Sequence, residues 1–330
     1  MKAILCQQFG PPEQLVLKEV PSPKAGNGQV VIQVEACGVN FPDTLMIEGK
    51  YQFKPPFPFS PGGEVSGTVI EVGEGVEHLR VGDAVFSLTG HGGFAEEVVA
   101  NAATTLPMPT SGAAGAMDFV TAASTMYTYG TSYHALKDRA NLQAGETLLV
   151  MGAAGGVGLA AVQLGVLMGA RVIAAASSEE KLAVCRAMGA AETINYTTEN
   201  LRDRLKELTN GNGVDVIYDP VGDRYAEPAI RSLAWKGRYL VVGFAAGQIP
   251  NIPLNLALLK GASIVGVFWG AFAQREPEMS QQNFRQILHW ITGGQLKQHI
   301  YRLYSLADAP EALRDLMERR VVGKAVVVAR

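Results

Sequence analysis

Four glycines stand close together at positions 152, 155, 156 and 158, between an apolar run and a helical pattern. Residues 148–151 predict a strand buried on both faces, residues 159–168 have apolar side chains at helical spacing, and residues 171–176 predict a second buried strand. In such a βαβ unit, glycine lets backbone amides approach a pyrophosphate, and the helix N-terminus attracts its charge. The spacing indicates a dinucleotide site. However, Ala153 occupies the first position of the pattern G-x-G-x-x-G, and a turn that binds nothing is the alternative.

The residues after the second strand bear on which dinucleotide binds. NAD sites usually place an acidic side chain there, which binds the ribose 2′-hydroxyl. This chain has Ser177 and Ser178 at the strand end and Lys181 one turn later, and two hydroxyls and an ammonium suit a 2′-phosphate. We therefore expect NADPH rather than NADH as the cofactor. Ser177 and Glu180 also have the spacing of a helix capping box, and both interpretations can hold together.

Length and composition narrow the class of protein. A chain of 330 residues with 48% apolar and 18% charged residues is long enough for two globular domains. A net charge of −3 without basic clusters disfavours a nucleic-acid partner, and no apolar run has the length of a membrane span. The three cysteines, Cys6, Cys37 and Cys185, lie too far apart in sequence to indicate a disulfide framework, so we expect a cytoplasmic location.

The pattern of secondary-structure signals along the chain changes near residue 117. Before it, short strand patterns broken by Gly, Pro and Asn predict a small β-barrel. After it, helical and buried-strand patterns alternate over roughly 140 residues, which predicts a doubly wound parallel sheet. The tail contains two amphipathic helices, residues 281–292 and 310–319, and Ser305 with Asp308 has the spacing of a capping box. A closing strand at residues 324–328 is expected to pair with the first domain.

Seven motifs of this chain occur in an order typical of one superfamily. They are GVNFPD (38–43), PGGEVSGTVIEVGEGV (61–76), VGDAVF (81–86), YGTSYHAL (129–136), GETLLVMGAAGGVGLAAVQL (145–164), YDPVG (218–222) and GRYLVVGF (237–244). Together they resemble the medium-chain dehydrogenase/reductase superfamily, in particular its zinc-independent quinone oxidoreductase (zeta-crystallin-like) branch. The resemblance implies an α/β protein: a GroES-like β-barrel catalytic domain at 1–123, a Rossmann NADP-binding domain at 124–267, and a return to the catalytic domain at 268–330. It also implies a homodimer.

The motifs also place the positions at which zinc-dependent members of the superfamily bind their catalytic metal. These positions fall on Asn40, on Gly63 and at or beside Tyr127, none of which binds zinc as a thiolate or imidazole does. The cluster of four cysteines that holds a structural zinc is also missing, and the five histidines show no ligand spacing. We therefore expect no metal in the protein, and alcohol oxidation by the zinc route is not expected.

The resemblance assigns roles around NADPH by position. The residues expected to bind the cofactor are Asn40 and Thr131 at the nicotinamide ribose; Ala154, Gly155, Gly156 and Val157 at the pyrophosphate; Ser177, Ser178, Lys181 and Tyr196 at the 2′-phosphate; Phe244 and the backbone of Phe268 and Trp269 at the nicotinamide; and Lys324 at the phosphates. Tyr196 could instead be a tyrosine packed at a strand end. Lys324 could instead be a solvated lysine in a turn.

Two residues are candidates for catalysis. The Asn40 amide could hydrogen-bond a substrate carbonyl or the cofactor, and the Tyr51 phenol could orient the substrate or relay a proton, unless Tyr51 is only a barrel-edge aromatic. Asp43 is expected to make a turn or a structural hydrogen bond. The predicted activity is NADPH-dependent, metal-free hydride transfer to a small-molecule acceptor, a quinone or a related activated carbonyl or alkene. The alternatives are an enoyl-thioester (enoyl-CoA) reductase and a nucleotide-binding protein with little turnover.

Overall fold

The computed structural model describes residues 1–112 and 115–329, which form two compact units. The first unit contains residues 1–127 and the C-terminal residues from 288 onward, and the second contains residues 128–287. The second boundary lies about twenty residues later than the expected 267/268, because helices that follow residue 268 pack within the second unit. No helix among the described residues is long and apolar enough to cross a membrane.

The secondary structure alternates between short strands and helices. The strands are β1 (Lys2–Leu5), β2 (Val16–Glu19), β3 (Gln29–Gly38), β4 (Glu64–Val72), β5 (Ala84–Leu88), β6 (Glu97–Asn101), β7 (Thr105–Pro107), β8 (Thr147–Met151), β9 (Arg171–Ala176), β10 (Glu192–Asn195), β11 (Val214–Asp219), β12 (Leu233–Val241), β13 (Ser263–Gly266), β14 (Ile300–Ser305) and β15 (Lys324–Val328). The helices are α1 (Phe41–Ile47), α2 (Phe119–Ala122), α3 (Met126–Tyr133), α4 (Gly156–Leu167), α5 (Glu179–Ala187), α6 (Leu201–Leu208), α7 (Ala226–Arg231), α8 (Asn255–Lys260), α9 (Trp269–Arg275), α10 (Pro277–Thr292) and α11 (Ala309–Met317), and α3 continues into a π-helical turn, His134–Arg139.

The first unit is built on a seven-stranded sheet of order β14-β15-β3-β4-β5-β7, with β6 also paired to β3. Its central strand β3 is largely buried, and its partly exposed residues, Gln29, Gln33 and Glu35, lie at alternate positions on one face of the strand. The predicted closing strand is confirmed, since β15 pairs antiparallel with β3. The predicted capping box is wrong: the Ser305 hydroxyl donates to the Asp308 carboxylate (2.6 Å) instead of accepting from the backbone.

The second unit contains a six-stranded parallel sheet of order β10-β9-β8-β11-β12-β13. Residues 148–151 of β8 are fully buried, which is why their run is continuously apolar rather than alternating. The chain reverses direction in the sheet order between β8 and β11, where ligands of open α/β sheets bind. The predicted doubly wound sheet is therefore confirmed, although the short and largely polar strand β10 was not predicted.

A buried ion pair connects two distant strands of the first unit. The Lys324 ammonium, on β15, lies 3.4 Å from the Glu64 carboxylate, on β4, and the two side chains are 3% and 0% exposed. Lys324 also donates to the Val39 carbonyl (3.1 Å), and the Tyr127 amide donates to Glu64 Oε1 (3.1 Å). The alternative of a solvated lysine at position 324 is therefore wrong, because every described partner of its ammonium lies in the protein interior.

We predict that Lys324→Met destabilises the first unit by about 3–5 kcal/mol, because it leaves the Glu64 carboxylate buried without a counter-charge. The double variant Glu64→Gln with Lys324→Met removes both charges and should recover most of the loss. Thermal unfolding of the two variants beside the wild type measures this difference. Equal melting temperatures for the single and the double variant would show that the pair does not hold the strands together.

Candidate cofactor and active site

The glycine-rich turn brings the end of β8 close to the start of α4. Gly152 has a φ of +55°, a conformation that favours glycine. A Cβ on Gly158 would lie 2.3 Å from the Gly152 carbonyl oxygen, so only glycine allows the helix to begin this near to the turn. The first-turn N–H groups of α4 have no partner within the helix, and they point toward the turn. This arrangement is a cradle that suits a pyrophosphate, and it contains Ala154, Gly155, Gly156 and Val157.

Two serines and a lysine lie together at the end of β9. The Lys181 ammonium donates to Ser177 Oγ (3.2 Å), and the backbone N–H of Lys181 donates to Ser178 Oγ (3.4 Å). Ser178 is therefore the N-cap residue of α5, and the predicted capping box of Ser177 with Glu180 is wrong. The Ser177 hydroxyl is left beside the ammonium, where the two groups together suit a phosphate.

The end of β10 adjoins this corner. The Tyr196 amide donates to the Ala176 carbonyl (3.1 Å), and the Thr197 hydroxyl donates to the Ser177 carbonyl (3.1 Å). The ring of Tyr196 packs on Tyr225, with 4.6 Å between centroids. The structure thus brings Tyr196 next to Ser177, as a shared site requires, and it also packs Tyr196 at a strand end. Thr197 was missed because its position depends on the unpredicted strand β10.

The residues expected at the nicotinamide lie on three elements of the second unit. Thr131 is on α3, where the neighbouring Ser132 hydroxyl donates to the Val157 carbonyl (2.8 Å), so Thr131 lies near the glycine turn. Phe244 follows β12 and lies against Gly222, whose Cβ would approach its ring to 2.9 Å. Phe268 and Trp269 differ sharply, since Phe268 is 62% exposed and Trp269 is 5% exposed.

The Asn40 carboxamide is held in one orientation by its partners. Its Nδ2 donates to Glu64 Oε2 (3.0 Å) and to the Gly38 carbonyl (3.1 Å), and its Oδ1 accepts from Lys324 Nζ (2.7 Å). A carboxylate only accepts and an ammonium only donates, so these neighbours exclude the flipped amide. Both donor hydrogens are used, so toward any further group the Asn40 side chain can act only through Oδ1. Asn40 can therefore accept a hydrogen bond from a hydroxyl, but it cannot donate to a substrate carbonyl without breaking a buried bond.

Asp43 and Tyr51 lie near this amide. The Asn40 backbone N–H donates to Asp43 Oδ2 (2.8 Å), which is the structural hydrogen bond expected of Asp43. Burial raises the pKa of Asp43 to about 7, against backbone hydrogen bonds and the Lys324 charge, which lower it. Burial, and then the charge of Asp43, raise the pKa of Tyr51, which packs on the hydrophobic core of the unit. The Tyr51 phenol is therefore protonated at neutral pH and able to donate.

Position 63, which the motif resemblance aligns with a zinc-binding imidazole, is sterically closed to a side chain. A Cβ on Gly63 would lie 2.8 Å from the Gly90 carbonyl oxygen, so a side chain at position 63 requires the backbone of the 88–90 turn to move. The Asn40 side chain is occupied by Glu64 and Lys324. Over residues 1–112 and 115–329, no group of three or more His, Cys, Asp or Glu side chains is arranged to hold a metal ion.

Comparison with known proteins gives matches along nearly the whole chain. Residues 26–110 match the alcohol dehydrogenase GroES-like domain, and residues 156–292 match the zinc-binding dehydrogenase family model. The quinone oxidoreductase-like protein 2 homolog of Nematostella vectensis is 40% identical over 99% of this chain and 88% of its own length. The quinone oxidoreductase of Rattus norvegicus is 36% identical over 96% of this chain and 94% of its own length.

A solved structure agrees with these sequence matches. The Escherichia coli quinone oxidoreductase, crystallised with NADPH, superposes with a TM-score of 0.92 at 28% identity, and the match covers 100% of both chains. The identity to two curated relatives exceeds 30% over most of their length, and the two units have the GroES-like and Rossmann folds of the superfamily. The chain belongs to the zinc-independent quinone oxidoreductase family of the medium-chain dehydrogenases/reductases.

Proposed function

We propose that the protein is an NADPH-dependent reductase that transfers hydride to quinones or related activated carbonyls and alkenes without a metal. The observation that carries this proposal is the pair of sites at the carboxyl ends of β8 and β9. A close-packed glycine cradle suits a pyrophosphate, and the Ser177–Lys181 corner suits a 2′-phosphate. The NADPH complex of the E. coli relative supports the same cofactor.

Several residues of this chain would hold the cofactor. Ala154 to Val157 would bind the pyrophosphate through backbone N–H groups, and Lys181, Ser177 and Tyr196 would bind the 2′-phosphate. The second serine, Ser178, would assist only as the helix cap. Thr131, Phe244 and the backbone of Phe268 and Trp269 would border the nicotinamide. Lys324 we assign to Asn40 rather than to the phosphates, because its ammonium is buried among Asn40, Val39 and Glu64.

Bound NADPH supplies the hydride, and the protein orients the acceptor and excludes water. A quinone or an activated alkene takes up the negative charge through its own conjugation, so no Lewis acid is required. The Oδ1 atom of Asn40 would accept a hydrogen bond from a ribose hydroxyl, since both amide hydrogens are already donated to Gly38 and Glu64. The Tyr51 phenol would orient the acceptor or deliver a proton to it, since its raised pKa keeps it protonated.

One observation favours the enoyl-thioester reductase as a second candidate. The sequence shows no basic cluster for a CoA or carrier phosphate, but the fold brings three arginines together. Arg202, Arg224 and Arg231 line a groove of about 520 Å³ in the second unit. Glu227 pairs with Arg231, so only part of this charge is available to an anion. A quinone therefore remains the first candidate acceptor.

We also propose that the partner of this chain is a second copy, paired through β13. This strand is at one edge of the six-stranded sheet, so its outer backbone groups have no strand partner among the described residues. Apolar side chains are exposed on and near it: Ile264 is 42% exposed, Leu258 78% and Trp235 70%. A twofold axis lets one edge strand pair antiparallel with its own copy, which covers both the backbone and these side chains.

NADPH oxidation at 340 nm with simple quinones, an enone and crotonyl-CoA tests the activity. We expect quinones to be reduced fastest, and metal-stripped protein to be as active as untreated protein. Faster reduction of crotonyl-CoA than of quinones would support the enoyl-thioester reductase instead. Slow oxidation with every acceptor would support the nucleotide-binding alternative, and dependence on added zinc would contradict the metal-free mechanism.

Lys181→Ala should reduce the preference for NADPH over NADH by roughly tenfold to a hundredfold, because a charge-assisted hydrogen bond to the 2′-phosphate contributes about 1.5–3 kcal/mol. The value of kcat/KM for NADH should change little. Because NADPH and NADH differ only in the 2′-phosphate, comparing the two cofactors isolates the contribution of that phosphate. Arg186→Ala, on the same helix and paired with Glu179, is the matched control. An unchanged cofactor ratio in Lys181→Ala would contradict the assignment of this corner.

Ile264→Asp should convert the dimer to a monomer, because it places a charge at the centre of the proposed interface. Sedimentation or light scattering after gel filtration measures the mass. Val81→Asp, at a residue that is 65% exposed in a turn of the first unit, should leave the dimer intact. A wild-type protein that is monomeric at micromolar concentration, or a dimeric Ile264→Asp variant, would contradict pairing through β13.

A further inference from the structure

The segment formed by α9 and α10 packs along one face of α3 and its π-helical continuation. A Cβ on Gly130 would lie 2.8 Å from the indole of Trp269, so Trp269 fits there only because residue 130 is glycine. One turn later, the ring of His134 stacks on Phe272 with 3.8 Å between centroids. We call Gly130, His134, Lys137 and Asp138 the docking stripe, because each of them contacts a residue of α9 or α10.

The stripe ends in a polar network that uses every polar atom of one buried amide. Asn283 Nδ2 donates to Asp138 Oδ2 (2.7 Å), and Asn283 Oδ1 accepts from the Lys137 ammonium (2.7 Å). The same Asp138 oxygen contacts His134 Nδ1 (2.8 Å). Asn283 is 4% exposed and Asp138 is 13% exposed, so a shift of α10 along the stripe would break their hydrogen bond where little water can replace it. Apolar contacts tolerate sliding, whereas a buried hydrogen-bonded network has one satisfied arrangement.

Phe268 lies between two anchored segments, and the helix of the docking stripe contributes to both. Before it, Arg139 Nε donates to the Gly266 carbonyl (3.0 Å), and the Val267 amide donates to the Val241 carbonyl (3.0 Å). After it, Trp269 and Phe272 are held by the docking stripe. The Phe268 side chain itself is 62% exposed, so its position is set by its neighbours and not by its own packing.

We propose that Asp138 and Asn283 are positioning residues for acceptor binding: their hydrogen bond sets the register of the α9–α10 segment on the docking stripe and so places Phe268 at the border of the acceptor site. This inference rests on the proposed reductase function. The stripe begins at Gly130, next to Thr131, which connects the position of α9 to the helix that borders the nicotinamide. None of these residues lies in the glycine turn or the 2′-phosphate corner, so a register shift should leave pyrophosphate and 2′-phosphate binding intact and act at the nicotinamide border, where the acceptor meets the cofactor.

The test removes the hydrogen bond between Asp138 and Asn283 and then restores it with the carboxylate and the amide swapped between the two positions. Asn283→Asp places two carboxylates in contact. In the double variant Asp138→Asn with Asn283→Asp, the new amide at 138 can donate one hydrogen to the new carboxylate, which also keeps Lys137. Its second hydrogen can be donated to Nδ1 of His134 in the tautomer that leaves Nδ1 unprotonated. We expect the single variant to raise KM for the acceptor by about tenfold, or about 1.4 kcal/mol. The NADPH affinity of the single variant should stay within about twofold of the wild type, and the double variant should restore the wild-type KM for the acceptor.

Glu146→Gln is the matched control, since it weakens a partly buried bidentate pair with Arg238 between the start of β8 and β12, and leaves the bond from Arg238 Nε to the Ala140 carbonyl in place. It should lower the melting temperature without changing KM for the acceptor. If Asn283→Asp also changes only the melting temperature, or if the exchange does not restore KM, the network is merely structural and the proposal is overturned.

Hydrogen–deuterium exchange of residues 266–276 gives a reading that needs no turnover. Deuterium uptake should rise in Asn283→Asp, return to the wild-type level in the double variant Asp138→Asn with Asn283→Asp, and stay unchanged in Glu146→Gln. Unchanged exchange in Asn283→Asp would overturn the anchoring role whatever the enzyme reduces. If the wild type shows no turnover while the deuterium uptake of the variants changes as expected, the result would count against the proposed function alone.

Discussion

The buried pair of Glu64 and Lys324 is the constraint on which the first unit depends. It connects β4 to β15, which comes from the far end of the chain, and it is nearly inaccessible to water. Two charges taken out of water are stable only when each is paired and hydrogen-bonded, so the C-terminal strand must lie where Lys324 meets Glu64. The same pair orients the Asn40 carboxamide. One interaction therefore both closes the unit and sets the hydrogen-bonding character of a candidate site residue.

Asn40 shows what residue type alone cannot determine. The sequence predicts an amide near the nicotinamide ribose, and an amide can donate or accept. Its direction depends on Glu64 and Lys324, which lie 24 and 284 positions away in the chain. Only the folded structure shows that both donors are used, which excludes the predicted hydrogen bond to a substrate carbonyl. The same long-range contact overturns the solvated alternative for Lys324.

Predictions from apolar patterning, including the closing strand, succeeded, whereas both predicted capping boxes were wrong and the side-chain contacts between distant elements were not predicted. The strand, glycine turn and helix at residues 148–167 follow from local apolar patterning and from the close approach at Gly158, so the sequence predicts them. Strand β10 has only four residues and little apolar character, and Thr197 was missed with it. The choice of Ser178 over Ser177 as the helix cap depends on backbone geometry that the spacing alone does not distinguish.

The second unit positions its two proposed ligands by different means. The pyrophosphate cradle consists of backbone atoms within one turn, and the phosphate corner is completed by side chains at adjacent strand ends. The acceptor border depends instead on a network between Asp138 and Asn283, which are 145 positions apart in the chain. The backbone geometry of the glycine turn tolerates few substitutions, but it does not depend on packing between distant parts of the chain. On the proposed role of the network, a change at Asp138 or Asn283 moves Phe268 and leaves the glycine turn intact.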